Sequence, residues 1–390
     1  MRQPWLRRGI ALIAATMLAA CSTVVPRAPA PAPDRPAKPA AERPESVEAG
    51  LPRDTQRNRV ALLVPLSGSN AGVGRSIANA TMLAVLDTGT DKVRITNYDT
   101  ATGAAAAAQH AIADGAQLIL GPLLSDDVRA VAPIAKAAGV PVLSFSNDVS
   151  VAGNGTYLMG YAPAQSIDRV VQYATSRGVT TFAGLIPNGL YGERASTAFL
   201  RSVEGAGGSV VSLQTYGRVA GGIAGAVTRL NAKAPYGAVL VADAGASAAV
   251  AAPLIKRGSG ASTRILGTEL WNSETSLASK PALNGAWFAS VANTLYRQYA
   301  TKYRARYNAA PYRLSSLGYD AVLLTVRIAR DWPIGRDFPE SRLRGDDGFA
   351  GLDGAFRFGR DGIAERALEV QEVRTGGAVT VSPAPRTFGE

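Results

Sequence analysis

The sequence predicts an α/β protein whose body folds as two doubly wound, parallel-sheet lobes, and three observations carry that prediction. From Arg59 onward, short β-branched runs alternate with alanine-rich segments of helical period, the pattern of a parallel sheet covered by helices on both faces. Eight such strands fall into two groups separated near 160–163, so they argue two sheets rather than one. No solenoid-type period interrupts the alternation. In a doubly wound sheet the ligand edge lies at the carboxyl ends of the strands, and two such edges facing each other make a cleft.

The elements follow in order. A strand at 60–64 runs into Gly68-Ser-Asn-Ala-Gly-Val-Gly74-Arg75-Ser76, and beyond it Val73, Ile77, Ala80 and Ala84 recur at i, i+4, i+7 and i+11, one stripe of a helix. Five residues separate Gly68 from Gly74 where a phosphate loop has four, and an arginine replaces its lysine, so the glycines are read as a tight turn beside the cleft. Strands at 93–98 and 118–120 flank a helix at 104–113. The second of them ends in Gly121-Pro122, after which Ser125 is placed to cap a helix at 126–138. After a strand at 140–145, Asn147 and Asp148 are either turn-formers bonding their own backbone or ligand groups.

The second group comprises strands at 182–186, 209–214, 238–241 and 264–266, with helices at 164–177, 193–205 and 246–257. Residues 292–330 read as two helices, the first with Tyr296, Tyr299, Tyr303 and Tyr307 on one face, a stripe expected to pack against the body. A glycine-punctuated hairpin at 351–362, its charges expected to be solvated, precedes a last strand at 369–374.

Ahead of this body, Arg2, Arg7 and Arg8 precede an apolar run at 10–18 and small residues ending at Ala20, a secretory signal peptide. The run is shorter than the roughly 20 apolar residues a spanning helix needs. Leu18-Ala19-Ala20-Cys21 resembles the lipobox of bacterial lipoproteins, which makes Cys21 the expected lipidation site and new N-terminus. Ser22 in place of aspartate then implies passage to the periplasmic face of the outer membrane. Cys21 is the sole cysteine, which rules out an intrachain disulfide. Residues 21–58 hold prolines at 26, 29, 31, 33, 36, 39, 44 and 52 and almost no large apolar side chain. They are expected to form a disordered tether, and at ~3.1 Å per residue thirty of them reach roughly 80 to 100 Å.

The net charge of +11 raises nucleic acid as a partner until it is divided along the chain. The leader holds three of those charges, and 22–59, with seven basic and five acidic residues, two more. The body keeps six with no basic run interleaved with aromatics, so nucleic-acid binding is not expected. His110, the only histidine, sits in an alanine-rich helical segment and is not expected to serve a Ser-His-Asp triad, and Cys-His and zinc-type sites lack the further histidine or thiol beyond Cys21 that they need. The pairs Asp126-Asp127 and Asp346-Asp347 are sequence neighbours that cannot converge across a cleft as glycosidase carboxylates do. No catalytic residue, metal or cofactor is expected.

Val60-Ala-Leu-Leu-Val-Pro-Leu-Ser-Gly68, the Gly121-Pro122-x-x-Ser125 turn, Pro141-Val-Leu-Ser-Phe-Ser-Asn-Asp148 and Tyr191-Gly192 resemble the leucine/isoleucine/valine-binding (type I) periplasmic binding proteins over roughly 58–385. Within that superfamily, 145–148 with Val151-Ala-Gly and Tyr157-Leu-Met-Gly160, Pro187-x-x-x-Tyr191-Gly192 and Leu266-Gly-Thr-x-x-Trp271 look like the penicillin-binding protein activator lipoproteins. The resemblance implies lobe 1 over 59–161 and 284–363 and lobe 2 over 162–283 and 364–386, with crossovers near 161, 283 and 363. It implies Ser67, Ser125, Ser146, Asn147, Tyr191, Asp243, Glu269 and Trp271 as cleft residues, with Asp243 or Glu269 receiving an ammonium and Trp271 stacking on a ligand or sealing the cleft. The expected function is non-catalytic activation of a bifunctional penicillin-binding protein. The alternative is a lipid-anchored receptor of an amino-acid ABC transporter that closes on a small amino-acid-like ligand. Against the latter, Asp126 and Asp127 occupy the helix N-terminus that would attract a substrate carboxylate.

Overall fold

A computed structural model describes residues 56–386 and 388; the leader, Cys21 and most of the expected tether lie outside the described residues. The first lobe is a five-stranded parallel sheet in the order β2-β1-β3-β4-β5. It is built from β1 (Asn58–Val64), β2 (Val93–Asp99), β3 (Leu118–Leu120), β4 (Val142–Ser144) and β5 (Thr156–Leu158). Strand alternation splits its side chains. Val60, Leu62, Val64, Leu118, Leu120 and Leu143 enter one core, and Ala61, Leu63, Ile119 and Val142 the other.

The second face is covered by α2 (Ala104–Ala113) and α3 (Ser125–Ala137), the first by α1 (Ala71–Thr88) together with α8 (Thr294–Tyr307) and α9 (Ser315–Ala329). Helices α1 and α9 meet so closely that a Cβ on Gly318 would lie 2.8 Å from Ile77 Cγ2 and 2.9 Å from its carbonyl oxygen. The tyrosine stripe of α8 packs as expected: Tyr299 stands edge-on to Tyr303 and Tyr319, and Tyr307 donates to the Asn79 carbonyl at 2.9 Å.

Between β5 and the second sheet come α4 (Pro163–Ser176) and then β6 (Thr181–Pro187), α5 (Leu190–Gly205), β7 (Ser209–Tyr216), α6 (Gly222–Asn231), β8 (Ala238–Val241), α7 (Gly245–Ser259), β9 (Arg264–Gly267) and β10 (Trp287–Ser290). The sheet runs β15-β14-β10-β9-β8-β6-β7, parallel from β10 to β7, with β14 (Glu369–Arg374) and β15 (Gly377–Ser382) added antiparallel at one edge. Val239 and Val241 face α6 and α7, while Ala238 and Leu240 face α4 and α5. A small antiparallel sheet of β11 (Phe349–Gly351), β12 (Gly354–Phe358) and β13 (Ala364–Arg366) joins the first lobe's core through Phe349, Phe356, Phe358 and Ala364.

Two crossovers differ from the sequence expectation. Strand β10 belongs to the second sheet, so the chain returns to the first lobe after Ser290, not near 283. Strand β13 belongs with the first lobe, so the last crossing follows Arg366, not 363. Both shifts have one cause: Trp287 and Phe288 on one side, and Ala364 on the other, are buried in cores that a cut at the expected positions would split.

Candidate functional site: the cleft and the hinge cavity

The residues expected to line a cleft all follow strand ends. Ser67, just beyond β1, is exposed and donates to Asp99 Oδ2 at 2.6 Å. Ser125 heads α3 as its first helical residue, with Leu124 in the cap position and no side-chain cap bond, so the expected capping role is not played. Ser146 is buried and accepts the Asp148 amide at 3.1 Å, whereas Asn147 is exposed.

Asp148 is both a turn-former and something more. It accepts the Ser150 amide at 2.9 Å, as its residue type favours. Its carboxylate also lies between two guanidiniums: Arg129 of α3 at 2.7 Å, and Arg194, which reaches across from α5 in the other lobe. Burial opposes ionisation, but the Ser150 hydroxyl and amide and the Arg194 cation outweigh it and bring Asp148 down to about 2. The lobes are thereby joined by an ion pair of the protein's own.

On the second lobe, Asp243 is buried and fully occupied. It takes Tyr216 OH at 2.6 Å, Arg218 at 2.8 Å, its neighbour Ala244's amide at 2.8 Å and Ser247 OH at 2.9 Å. Burial pushes its acidity one way, yet these donors lower its pKa overall. Glu269 accepts from Ser166 Oγ and from Tyr191 OH at 3.0 Å, and Tyr191 also meets Thr268 Oγ1 at 3.0 Å. Here burial prevails, and the Glu269 carboxyl is raised above the usual range. Trp271 is 1% exposed and lies over Gly267, where a Cβ would overlap the indole. Its Nε1 donates to the Asp243 carbonyl at 2.9 Å, so it is a buried plug under the second lobe's edge.

A cavity of about 190 Å³ lies where all three crossovers run. Tyr161 and Ala162 come from the first crossing, Val291 from the second, and Arg366 and Leu368 from the third; Gln165, Ser166, Glu269, Leu270, Asn272 and Ser273 of the second lobe and Arg313 and Leu314 of the first complete it. Of the eight expected cleft residues, Glu269 alone lines it.

Behind the wall sits a charged cluster the sequence reading missed. Asp353, in the hairpin whose charges were expected to be solvated, is 0% exposed and pairs with Arg313 at 2.8 Å. It also accepts Tyr161 OH at 2.5 Å and Ser316 OH at 2.8 Å. Burial opposes its charge, but Arg313 and Arg366 lower its pKa. Asp320, buried and beside Asp353, is pushed up to about 7 by burial and by that carboxylate. Spacing gives no hint of this cluster, because its members are separated by up to two hundred residues. By contrast, Arg357 and Glu365 pair across β12 and β13 at 2.8 Å on the exposed face, as expected of hairpin charges. Among the described residues, no group of three or more His, Cys, Asp or Glu side chains could hold a metal ion, and no helix is long and apolar enough to cross a membrane.

The described fold has solved counterparts. A putative branched-chain amino acid ABC transporter protein from Rhodospirillum rubrum superposes with a TM-score of 0.74 at 22% identity, covering 83% of this chain and 100% of that one. The C-domain of LpoA from Haemophilus influenzae, a regulator of PBP1A, gives 0.65 at 19% identity over 83% and 100%. An uncharacterised protein of Rickettsia prowazekii is 25% identical over 146 residues, which span 37% of this chain and 39% of that protein. The family model described as periplasmic binding protein matches residues 58–378; with two doubly wound sheets joined by three crossovers, the chain belongs to the periplasmic binding protein family.

Proposed function

We propose that this chain is a non-catalytic, lipid-anchored envelope protein that acts by contact. Anchored through Cys21 at the periplasmic face of the outer membrane, it reaches into the wall on the Pro- and Ala-rich stretch 21–58, and its two-lobed body stimulates a bifunctional penicillin-binding protein. The observation that supports this reading is the Asp148–Arg194 pair, in which two of the protein's own side chains bridge the lobes. An amino-acid receptor needs a free anion for the substrate ammonium and a ligand to hold its lobes together. Here Asp148 and Asp243 are already occupied, and Glu269 is internally bonded and driven toward its neutral form. The likeness in fold to the regulator LpoA supports the same reading. Immobilised chain is expected to bind the bifunctional penicillin-binding protein of its own organism saturably and to raise its polymerisation rate; failure to bind any such synthase would remove the proposal.

A second reading, a lipid-anchored receptor for an amino-acid ABC transporter, is favoured by the position of Glu269 on the hinge cavity. It requires leucine, isoleucine or valine to raise the melting temperature with concentration, as RT ln(1 + [L]/Kd) dictates. The contact reading expects no such rise.

A further inference from the structure

Lobe 1 carries a ridge that no other described element covers. Along α1, Gly72, Arg75, Asn79, Met82 and Leu86 fall at i, i+3, i+7, i+10 and i+14, one stripe on the side turned away from the buried Ile77, Ala80 and Ala84. Met82 is 46% exposed and Leu86 49%. Neighbouring side chains widen the stripe. Tyr312, 55% exposed, lies over Gly72, where a Cβ would stand 2.8 Å from its hydroxyl. Asn79 Nδ2 donates to Tyr303 OH at 3.1 Å, which brings α8 alongside, and Arg306 of α8 stacks over the Tyr307 ring at 5.9 Å.

The charge of this face is one-sided. Helix α1 has no acid from Ala71 to Leu86, and 293–319 hold five cations and no acid. Asp87, at the far end, is taken by Lys302 at 3.0 Å and by Tyr319 OH at 2.8 Å, which leaves the exposed Arg75 and Arg306 to set the sign. A second copy of the chain would bring one cationic face against another, so self-association through the ridge is opposed. A headgroup-binding helix separates its cations from its apolar face, whereas here Arg75, Met82 and Leu86 share one stripe. Methionine, tyrosine and arginine gathered where acids are missing is the composition of a protein–protein interface. The stripe runs about 21 Å, and with α8 beside it the face is about 20 Å wide, on the order of 400 Å² per partner, the size of a transient contact.

We infer that this ridge, with Met82 and Leu86 at its centre and Arg75, Arg306 and Tyr312 around them, docks a partner protein whose surface offers a shallow apolar groove flanked by carboxylates. The apolar pair supplies the desolvated centre of the contact, and the arginines steer an acidic partner toward it. In the reading proposed above the partner is the penicillin-binding protein; the inference rests on that reading and adds where the contact is made. Every residue of the ridge belongs to lobe 1, so the docking face is distinct from the interlobe cleft and from the hinge cavity.

Surface plasmon resonance of the full chain against that synthase tests this. Met82→Asp with Leu86→Asp is expected to weaken Kd at least about tenfold, through faster dissociation. Arg75→Glu with Arg306→Glu should instead slow association several-fold and flatten its dependence on salt. Arg201→Glu, at an exposed α5 position of the other lobe, is the control and should change neither. All four ridge side chains are exposed, so both double variants should melt with the wild type, and the arginine pair reads the surface independently if the apolar pair disturbs the helix. Wild-type affinity in a folded apolar pair, or a wild-type association rate in the arginine pair, overturns the inference while leaving the synthase reading in place; a synthase that never binds the wild-type chain removes both. Dimerisation of the free chain, or adsorption to phosphatidylglycerol vesicles, that either double variant abolishes would assign the ridge to a second copy or to a membrane and overturn the inference as well.

Discussion

Single side chains decide how this cleft behaves, and Asp148 most of all. Its carboxylate is buried between Arg129 and Arg194, so Asp148→Asn strands two guanidiniums around a neutral amide. Allowing for the partial exposure of both arginines, a loss of about 2 kcal/mol in chemical denaturation is expected, smaller than the ~3–5 kcal/mol of a fully buried broken pair. Trp271→Phe should cost about 1–2 kcal/mol by losing the bond to the Asp243 carbonyl and part of the indole volume, and Trp271→Ala about 3–5 kcal/mol; a Trp271→Ala chain as stable as wild type would show that the indole is not a plug. These roles were only half legible in the sequence. The turn chemistry of Asp148 follows from its residue type, but nothing local points to Arg194, 46 residues on and in the other lobe. Asp243 and Glu269 follow strands as expected, yet their saturation by Tyr216, Arg218, Ser166 and Tyr191 depends on packing that no spacing encodes.

Among the elements, those with strong periodic signals were the readable ones. The β-branched run at 60–64 and the Val73, Ile77, Ala80 and Ala84 stripe lie within β1 and α1. Strand β5 has three residues, and β10 is Trp-Phe-Ala-Ser, without a β-branched side chain; both are strands because the neighbouring edge supplies their hydrogen bonds. The α1–α9 crossing predicts that Gly318→Ala, which forces the helices apart at Ile77, costs about 2 kcal/mol as overpacking. Beside it, α9 carries Asp320, whose oxygens accept the Leu352 and Asp353 amides at 2.6 and 3.4 Å. Burial and the neighbouring Asp353 carboxylate hold its folded pKa at about 7, above the 3.8 of a free carboxyl. Its contribution to stability is therefore complete below about pH 4 and is lost as pH rises through 7. Asp320→Asn, which cannot ionise, should gain melting temperature relative to wild type between pH 5 and pH 8; a constant offset across that range would show that Asp320 does not titrate there.

For the whole molecule, two sheets on three crossovers make a hinge, and the chain supplies its own clasp across the lobes. The two-lobe architecture was visible because strand grouping and alternation are global patterns, whereas the crossover positions slipped by several residues because Trp287, Phe288 and Ala364 are committed by burial rather than by turn residues. A protein that closes itself is suited to presenting a fixed surface to a partner; one that waits open is suited to capturing a solute. Small-angle X-ray scattering of the body in ligand-free buffer separates these most directly. The account predicts a compact profile that leucine leaves unchanged and that Asp148→Asn expands; a wild-type profile that is extended alone and contracts on adding leucine would contradict it.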